Sequence, residues 1–297
     1  MLLRAGYGSG FLELGRYNDR HSISVASASS TETGLEMFLR HSVIALLFAT
    51  ASFAAACAQS SSAPMNVYDG FEGPALSDLW ETSRFVPGAV DIQSSIARAG
   101  HGAVRITLHP HDIFEAGRNG NADSERDELL ENRRLVSRED ALYEYSWSMY
   151  LLADFPIVPV RLVVAQWKQY CGDNSSPCDD DSPVLAVRYI GGVLRITQDL
   201  DHRHVILYEQ KRDLRGSWLD LRFQVRFTPR SNGSVKAWLD GKRVVDYSGV
   251  TADSETAATG YRSPGHFFFK MGLYRNVMPQ PMTIYLDEYR KREIPQN

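Results

Sequence analysis

Residues 266–276 read His266-Phe267-Phe268-Phe269-Lys270-Met271-Gly272-Leu273-Tyr274-Arg275-Asn276. Side chains along a β-strand point alternately to opposite sides, so this stretch predicts a strand with two unlike faces. One face is apolar and is expected in the core: Phe267, Phe269, Met271 and Leu273. The other face carries polar groups around a gap: Lys270, Gly272, Tyr274 and Asn276. A glycine between a cation and a phenol lets a flat ligand such as a sugar ring approach the backbone. An ordinary amphipathic strand with solvated polar side chains explains the pattern equally well.

Short strand-like runs separated by turns continue on both sides of this stretch, and long helical periodicity is scarce. The runs are 104–108, 143–151, 161–167, 184–189, 193–197, 218–227, 234–239, 242–247 and 282–289. Asp240-Gly241 joins two of them and is a strong hairpin signal. Residues 129–134 fit either a short helix or a continued strand. Many short strands at near-regular spacing predict an all-β protein, and at this length a jelly-roll sandwich of the concanavalin or glucanase type.

The composition is that of an ordinary globular protein. Of the 297 residues, 43% are hydrophobic and 23% are charged, which is ample material for a core. The net charge is −4 and the isoelectric point is about 6.1. Because there is no overall basic field, nucleic acid is not an expected partner, and an acidic ligand would need local cations.

Residues 37–58 have the pattern of a secretory signal peptide. A basic start at Arg40 is followed by a short apolar run over 42–56 and then by the small-x-small sequence Ala56-Cys57-Ala58. The apolar run is too short to span a membrane comfortably. Export to the periplasm or the extracellular space is therefore expected. The alternative is a lipid anchor at Cys57, although the aliphatic residue usual three places before a lipidated cysteine is missing.

The polar, Gly/Ser-rich residues 1–36 precede this signal. Either they are a disordered leader, or translation begins at Met37, which we favour. Cleavage after Ala58 leaves residues 59–297, a length that suits one large β-sandwich and contains no recognisable linker. We expect this single domain to be a monomer that has no contact with the membrane once the signal is removed.

Two cysteines remain in the expected mature chain, Cys171 and Cys178, and they bracket a turn-rich loop. In an exported protein they should form a disulfide. A zinc site is less favoured, because two thiols without nearby histidines do not complete its ligand shell. The acidic run at 179–181 is most simply a solvated loop, with calcium binding as the alternative.

Two further predicted strands carry pairs of polar side chains on one face. Gln166 and Lys168 share a face, so an amide and an ammonium point together. Arg126 and Glu128 also share a face, which holds the guanidinium in an orientation that can grip a carboxylate by paired hydrogen bonds. For each pair alone, a surface salt bridge or a polar pair at a sheet edge is a commoner explanation than a binding site. Three such strands in one all-β chain favour a binding site.

The three polar strands resemble the signature strands of jelly-roll polysaccharide lyases, the group that contains alginate lyases, glucuronan lyases and heparin lyase I. Those families carry an Arg-x-Glu strand, a Gln-x-His strand and a Tyr/Phe-Phe-Lys-x-Gly-x-Tyr strand. The matching motifs are Arg126-Asp127-Glu128-Leu129, Gln166-Trp167-Lys168 and Phe268-Phe269-Lys270-Met271-Gly272-Leu273-Tyr274-Arg275. The frame, including 69–72, 98–105, 216–220 and 233–242, is similar to the heparin lyase I-like branch, and the likeness covers residues 66–290.

The resemblance implies β-elimination on a uronic acid within an acidic polysaccharide. This chemistry needs no cofactor and no metal, and the sequence leaves metal dependence open. Such a lyase needs donors that neutralise the substrate carboxylate, a base for the C5 proton and an acid for the leaving O4. Arg126, Gln166 and one of Lys168 or Lys270 would neutralise the carboxylate. Tyr274 would protonate O4. The wider substrate-binding set would be Lys270, Arg275, Glu128, Asn276, His109 and His111.

The identity of the base is open, because the chain has Lys168 where many relatives have histidine. Tyr274 would serve alone in a syn elimination. Since free tyrosine has a pKa of about 10, that role requires nearby cations, for which Lys270 and Arg275 are the candidates. Otherwise Lys168 is the base, or a histidine comes from elsewhere. His109 and His111 precede the Arg126 strand but also fit exposed loop residues. An inactive enzyme is a further reading of the substitution.

Two other functions fit the same pattern less well. A non-catalytic carbohydrate-binding sandwich would use aromatic side chains and cations without needing Tyr274 aligned with Lys270. A glycoside hydrolase needs two carboxylates across a cleft. The Glu-x-Asp-x-x-Glu strand of jelly-roll glucanases is missing, and Glu125, Asp127 and Glu131 only imitate it. Among uronates, the overall resemblance favours a glucuronate polymer, and the lack of a dense basic patch argues against heavily sulfated heparin.

Overall fold

The computed structural model describes residues 64–116, 122–171, 176–177, 183–201, 203–253 and 265–296. The predicted leader, the signal peptide and Cys57 lie outside these ranges. So do Cys178 and the acidic run at 179–181, and with them the predicted disulfide of Cys171. Among the described residues, no helix is both long and apolar enough to cross a membrane.

The described chain is built of β-strands that pair antiparallel, with one short 3₁₀ helix at Arg133–Leu135. In chain order the strands are Asn66–Asp69 (β1), Trp80–Glu81 (β2), Val90–Gln93 (β3), Ala103–Leu108 (β4), Glu115–Ala116 (β5), Ala122–Glu131 (β6), Ser137–Arg138 (β7), Leu142–Leu151 (β8), Leu162–Cys171 (β9), Ser176–Pro177 (β10), Leu185–Ile190 (β11), Val193–Leu200 (β12), Arg203–Lys211 (β13), Trp218–Arg226 (β14), Gly233–Leu239 (β15), Lys242–Gly249 (β16), His266–Asn276 (β17) and Met282–Ile294 (β18).

Within the described ranges these strands form two sheets. The first sheet has eight strands in the order β16-β15-β14-β8-β18-β4-β3, with β1 paired to β18. The second sheet has ten, in the order β13-β12-β11-β9-β17-β6-β2, with β10, β5 and β7 paired to β9, β6 and β17. Each sheet combines consecutive strands, such as β14-β15-β16 and β11-β12-β13, with neighbours from distant parts of the sequence, such as β17 between β6 and β9, as in a jelly roll. The predicted all-β jelly-roll sandwich is confirmed.

The core lies between the two sheets and follows from the alternation of the strands. The four residues predicted to form the apolar face of β17 are fully buried: Phe267, Phe269, Met271 and Leu273. Phe269 meets Trp167 of β9 at a ring-centroid distance of 4.8 Å and Trp147 of β8 at 5.1 Å. Aromatic contacts of this kind join the sheets and fix the orientation of β17. Its opposite face is thereby turned away from the core.

One open alternative of the sequence analysis is decided by the structure, and one strand was not predicted. Residues 129–131 continue strand β6, and the 3₁₀ turn begins only at Arg133. Strand β13 was not predicted. It is an edge strand in which Val205 and Ile206 are 44% and 48% exposed, so it has no buried face to impose a period of two on its sequence.

Candidate active site

The three polar strands of the sequence analysis are direct neighbours in the second sheet. Strand β17 lies between β6 and β9, and the register pairs Tyr274 with Arg126 and Lys270 with Gln166. Glu128 lies opposite Gly272. Directly opposed residues share a face of the sheet, so the predicted polar groups converge on one surface. That convergence arises from strand pairing between segments more than 100 residues apart in sequence.

Glu128 is the centre of this cluster. Its carboxylate lies 3.3 Å from Nη1 of Arg126 and 3.6 Å from Nζ of Lys270, and it accepts a hydrogen bond from Nε2 of Gln166. All four residues are at most 8% exposed. Burial alone would raise the pKa of Glu128, but the charges of Lys270 and Arg126 and the Gln166 hydrogen bond hold it below its usual value. Glu128 is therefore an internal counter-ion.

Burial acts on the pKa of Lys270 in the direction opposite to its effect on Glu128. Removal from water lowers its pKa from 10.5 to about 7, an effect that Glu128 opposes and that the nearby charges of Arg126, Lys168 and Arg84 strengthen. Lys270 thus changes its charge near neutral pH. Since its side chain is only 3% exposed, it supports the floor of the site and offers little surface to a ligand.

Gly272 is needed for the approach of two backbones. Its φ is +142°, and the pairing of β17 with β9 shifts register between Met271 and Tyr274. A Cβ atom at residue 272 would lie 2.6 Å from the carbonyl oxygen of Asp127 and 2.8 Å from Cα of Glu128. The expectation that this glycine leaves a gap for a sugar ring is therefore corrected, because the missing side chain makes room for strand β6 instead.

Tyr274 is half-buried at the edge of the cluster, where two guanidinium groups lie over its ring. The Cζ atoms of Arg126 and Arg161 are 4.1 and 4.3 Å from the ring centroid. Arg161 directly precedes β9, so the two cations come from strands on opposite sides of β17. Asn276 accepts a hydrogen bond of 2.8 Å from Nε of Arg161. The predicted residue Asn276 thus orients a cation that sequence reasoning did not select.

The two guanidiniums at Tyr274 differ in how far protein acids neutralise them. Arg126 binds both Glu128 and Glu115 and is 8% exposed. Arg161 is half-buried, and no carboxylate within the described part of the chain lies within salt-bridge distance of it. The positive charge of Arg161 therefore remains available for an external anion, beside the phenol of Tyr274.

Lys168 lies on the same face of β9, two residues beyond Gln166, and is half-buried. Its register partner on β17 is Phe268, whose ring stacks on Tyr170 at 4.1 Å with an angle of 24°. The charge of Lys168 contributes to lowering the pKa of both Glu128 and Lys270. An ammonium thus stands beside an aromatic platform at one end of the polar surface, with Tyr274 at the other.

Arg275 does not belong to this surface, which corrects its assignment to substrate binding and to the cations that act on Tyr274. Its side chain is 0% exposed on the core side of β17 and forms an ion pair with Glu125, also 0% exposed, at 2.5 Å. Another hydrogen bond joins it to the carbonyl of Gln280. Strict alternation from Leu273 places residue 275 on the core face, and the structure follows that rule.

The two candidate histidines lie on the exposed segment before β6. The imidazole of His109 is 57% exposed and bonds Asp112 at 3.2 Å. The ring of His111 packs edge-on against Phe114 at 5.6 Å, and its backbone N–H donates to Glu125. These partners fit the alternative reading of exposed loop histidines and do not connect them to Tyr274.

The carboxylates that imitate a glucanase strand face the core. Glu125 is paired with Arg275, and Glu131 with Lys291 at 2.9 Å. Asp127 accepts a hydrogen bond from the Val86 backbone, and its burial raises its pKa to about 8. All three are at most 1% exposed, so they do not flank a cleft and do not support the glycoside hydrolase reading.

The arrangement on the outer surface of the second sheet can neutralise an anion and transfer protons. Arg161 supplies an available cation, Tyr274 a phenol beside it and Lys168 an amine farther along. Within the described ranges, no group of three or more His, Cys, Asp and Glu side chains is placed to hold a metal ion.

Comparison with known proteins identifies a family for most of the chain. Residues 70–290 match the family described as polysaccharide lyase. No curated protein matches the chain significantly. A similar solved structure is the endo-β-1,4-glucuronan lyase from the fungus Trichoderma reesei, with a TM-score of 0.57 and 18% identity over 77% of this chain and 95% of that one. Alginate lyase Aly36B has a TM-score of 0.48 and 13% identity over 79% of this chain and 99% of that one.

Proposed function

The chain belongs to the polysaccharide lyase family, and we propose that it cleaves a uronic-acid-containing polysaccharide by β-elimination. The lyase class follows from the family. The observation that carries the finer proposal is the pairing of Tyr274 with Arg161, a phenol beside a guanidinium that no described carboxylate neutralises. A uronate presents the complementary groups, a carboxylate next to the carbon that loses its proton and an oxygen that leaves.

Arg161 binds the substrate carboxylate in this proposal. β-Elimination begins at C5, where the proton is weakly acidic until the adjacent carboxylate is neutralised. Arg126, the predicted clamp, is already held by Glu115 and Glu128, and Gln166 donates to Glu128. These residues and Lys270 form a rigid, charged floor. The guanidinium held in place by Asn276 is the group that meets the carboxylate.

Proton transfer is assigned to Lys168 and Tyr274. The neutral amine of Lys168 removes the C5 proton and becomes an ammonium, the electron pair of the C5–H bond forms the C4–C5 double bond, the C4–O4 bond breaks, and the phenol of Tyr274 donates its proton to O4. Lys168 is preferred to Lys270 because it is half-buried, whereas Lys270 is only 2% exposed. It is preferred to His109 and His111 because their rings contact Asp112 and Phe114.

A glucuronate polymer is the favoured substrate. The support is the fold shared with the fungal glucuronan lyase, together with the overall resemblance of the sequence. The stacked rings of Tyr170 and Phe268 offer a platform for a second sugar of the chain. Membership of the heparin lyase I-like branch stays a prediction from sequence, as do export and a monomeric state.

Substitution of Arg161 tests whether its guanidinium binds the substrate carboxylate, with an arginine paired to a protein carboxylate as the control. R161Q should lower kcat/KM on glucuronan by about 100-fold, since a charge-assisted contact to the reacting carboxylate is lost. R138Q is the control, because Arg138 is 62% exposed and paired with Glu293. On methyl-esterified glucuronan, which lacks the carboxylate charge, wild type and R161Q should differ much less. An equal loss on both polymers would refute carboxylate recognition by Arg161.

A second variant separates the two candidate bases. K168A should abolish formation of the unsaturated product while the protein still binds polymer. Retention of more than about a tenth of wild-type turnover would exclude Lys168 as the base, because a general base contributes about 100-fold or more. The base role would then pass to Tyr274 and imply a syn elimination.

A further inference from the structure

A groove of about 360 Å³ crosses the outer face of the first sheet, on the side away from the candidate active site. One row of residues, a single residue from each of five adjacent strands, runs across the groove and ends beside it at Tyr68. Their register is continuous from β15 through β14, β8 and β18 to β1. In that order the row consists of Trp238, Arg222, Ser146, Arg290 and Tyr68.

The row is nearly symmetric about its serine. The guanidinium of Arg222 lies 4.0 Å from the ring centroid of Trp238, and that of Arg290 lies 4.0 Å from the ring centroid of Tyr68. Ser146 leaves a low floor between these two pairs. Because neighbouring strands are about 4.8 Å apart, the two arginine positions are separated by about 10 Å. Two stacked aromatic–arginine pairs therefore flank a polar depression.

The acidic residues around the groove are largely occupied by other partners. Asp220 receives two hydrogen bonds from Arg98, at 3.0 and 2.9 Å, and one from Ser148. Glu144 is paired with Arg292 at 2.7 Å, whereas its distance to Arg222 is longer, 3.9 Å. Glu288 accepts a hydrogen bond of 2.6 Å from Tyr68 and is 3.2 Å from Arg290. Four guanidiniums thus face three carboxylates, and Arg222 is the least neutralised of the four.

We propose that this groove is a second polysaccharide-binding site, which holds an acidic segment of the polymer away from the active site. The occupant is chosen by charge complementarity and by chemistry: aromatic rings stack on sugar rings, and guanidiniums pair with carboxylates. The inference rests on the proposed function in one respect, the acidic nature of the polymer. Its role is to keep the enzyme on a long chain between cleavage events, as a second linked contact does in any multivalent complex.

Binding and turnover are measured separately to test the site. W238A and R222Q are compared with wild type by retardation in native gels that contain glucuronan, alginate or the neutral polymer hydroxyethyl cellulose. R138Q is the control, because Arg138 is an exposed arginine on β7 of the second sheet, paired with Glu293 and outside the groove. Both groove variants should bind the acidic polymers about 10-fold more weakly. Their kcat/KM on a glucuronate tetrasaccharide, too short to occupy both sites, should equal that of wild type.

Several results would overturn this inference. They are unchanged retardation of both variants, equal retardation of wild type by the neutral polymer, no retardation of wild type by either acidic polymer, or a parallel loss of tetrasaccharide turnover. If W238A does not fold, R222Q carries the test, because its side chain is 44% exposed. Failure of the proposed chemistry reads out differently, as the absence of unsaturated product from wild type whatever the gels show.

Discussion

Removal of the buried charge of Glu128 is the perturbation whose effect the structure specifies most fully. Glu128→Gln keeps the size of the side chain and deletes the negative charge at the centre of the cluster. Lys270 and Arg126 then lose the carboxylate that lies 3.6 and 3.3 Å from their nitrogen atoms. Because all three residues are at most 8% exposed, water cannot replace the carboxylate.

The loss of unfolding free energy in E128Q follows from the distance between the charges of Glu128 and Lys270. Coulomb's law with an effective dielectric constant of about 20 gives an attraction of about 5 kcal/mol for unit charges 3.6 Å apart. Loss of one partner of a buried pair typically costs about 3–5 kcal/mol. E128Q should therefore lower the free energy of unfolding by about 4 kcal/mol at pH 6, where Lys270 is protonated.

The cost should depend on pH through Lys270. Its pKa in the folded protein is about 7, below the ordinary value of 10.5, and Glu128 is one of the groups that raise it. E128Q lowers that pKa further, so near pH 6 the folded variant has released a proton that folded wild type retains. Stability rises with pH wherever the unfolded state binds more protons. The variant therefore approaches wild type as pH rises to about 7, and the gap then stays constant and above zero because Arg126 remains charged.

Urea unfolding of wild type and E128Q at half-unit steps from pH 5.5 to 8.5 measures this gap. The double variant E128Q/K270M is the control, because it removes both charges and should recover most of the lost stability at pH 6. A gap that is independent of pH, or that widens as pH rises, would refute the assignment of Glu128 as counter-ion to Lys270. Equal stabilities of the single and double variants would refute it as well.

Three further substitutions test other parts of the structure. Asp127→Asn should increase its free energy of unfolding relative to wild type by about 1–3 kcal/mol as pH rises from 5 to 8.5. Burial raises the Asp127 pKa to about 8, so folding of wild type is penalised at pH values where this carboxyl is ionised in the unfolded chain. A stability difference between the two proteins that is the same at all pH values would contradict this. Gly272→Ala should lower the free energy of unfolding by about 3 kcal/mol or more, since the new Cβ would lie 2.6 Å from a backbone oxygen. Gly88→Ala is the control, because Gly88 also has a positive φ but has open space around it, and it should cost about 1 kcal/mol. Equal shifts in melting temperature would exclude the close backbone approach as the cause. Arg275→Met should lower the free energy of unfolding by about 3–5 kcal/mol, because Glu125 is left buried without its ion-pair partner, and KM should stay unchanged. An increase in KM without destabilisation would support the predicted contact of Arg275 with substrate.

The sequence predicts the fold well because the alternation of buried and exposed residues is strict in strands such as β14. In β14 every second residue is buried, and Leu219, Leu221, Phe223 and Val225 are at most 2% exposed. Such a pattern needs only local information. Strand β13 escapes it because an edge strand with both faces largely exposed carries no such constraint on its sequence.

The site was predictable in residue types but not in the roles of individual residues. The motifs find Arg126, Gln166 and Lys270, yet nothing local shows that Glu128 binds all three and buries them. Arg161 was missed for the same reason, since its contact with Tyr274 depends on the register of β9 against β17. A lone arginine at the start of a predicted strand is otherwise typical of a solvated surface.

The ultraviolet absorbance of the product double bond shows whether the protein cleaves a uronate polymer by β-elimination with Tyr274 as the acid. Wild type and Y274F are incubated with glucuronan, alginate, hyaluronan, chondroitin, heparin and a xanthan-type polymer, and binding is measured in parallel. This chemistry predicts rising absorbance with a glucuronate polymer for wild type, and a loss of activity of at least about 100-fold in Y274F with binding retained. Constant absorbance across all six polymers with binding retained, or full activity in Y274F, would contradict it.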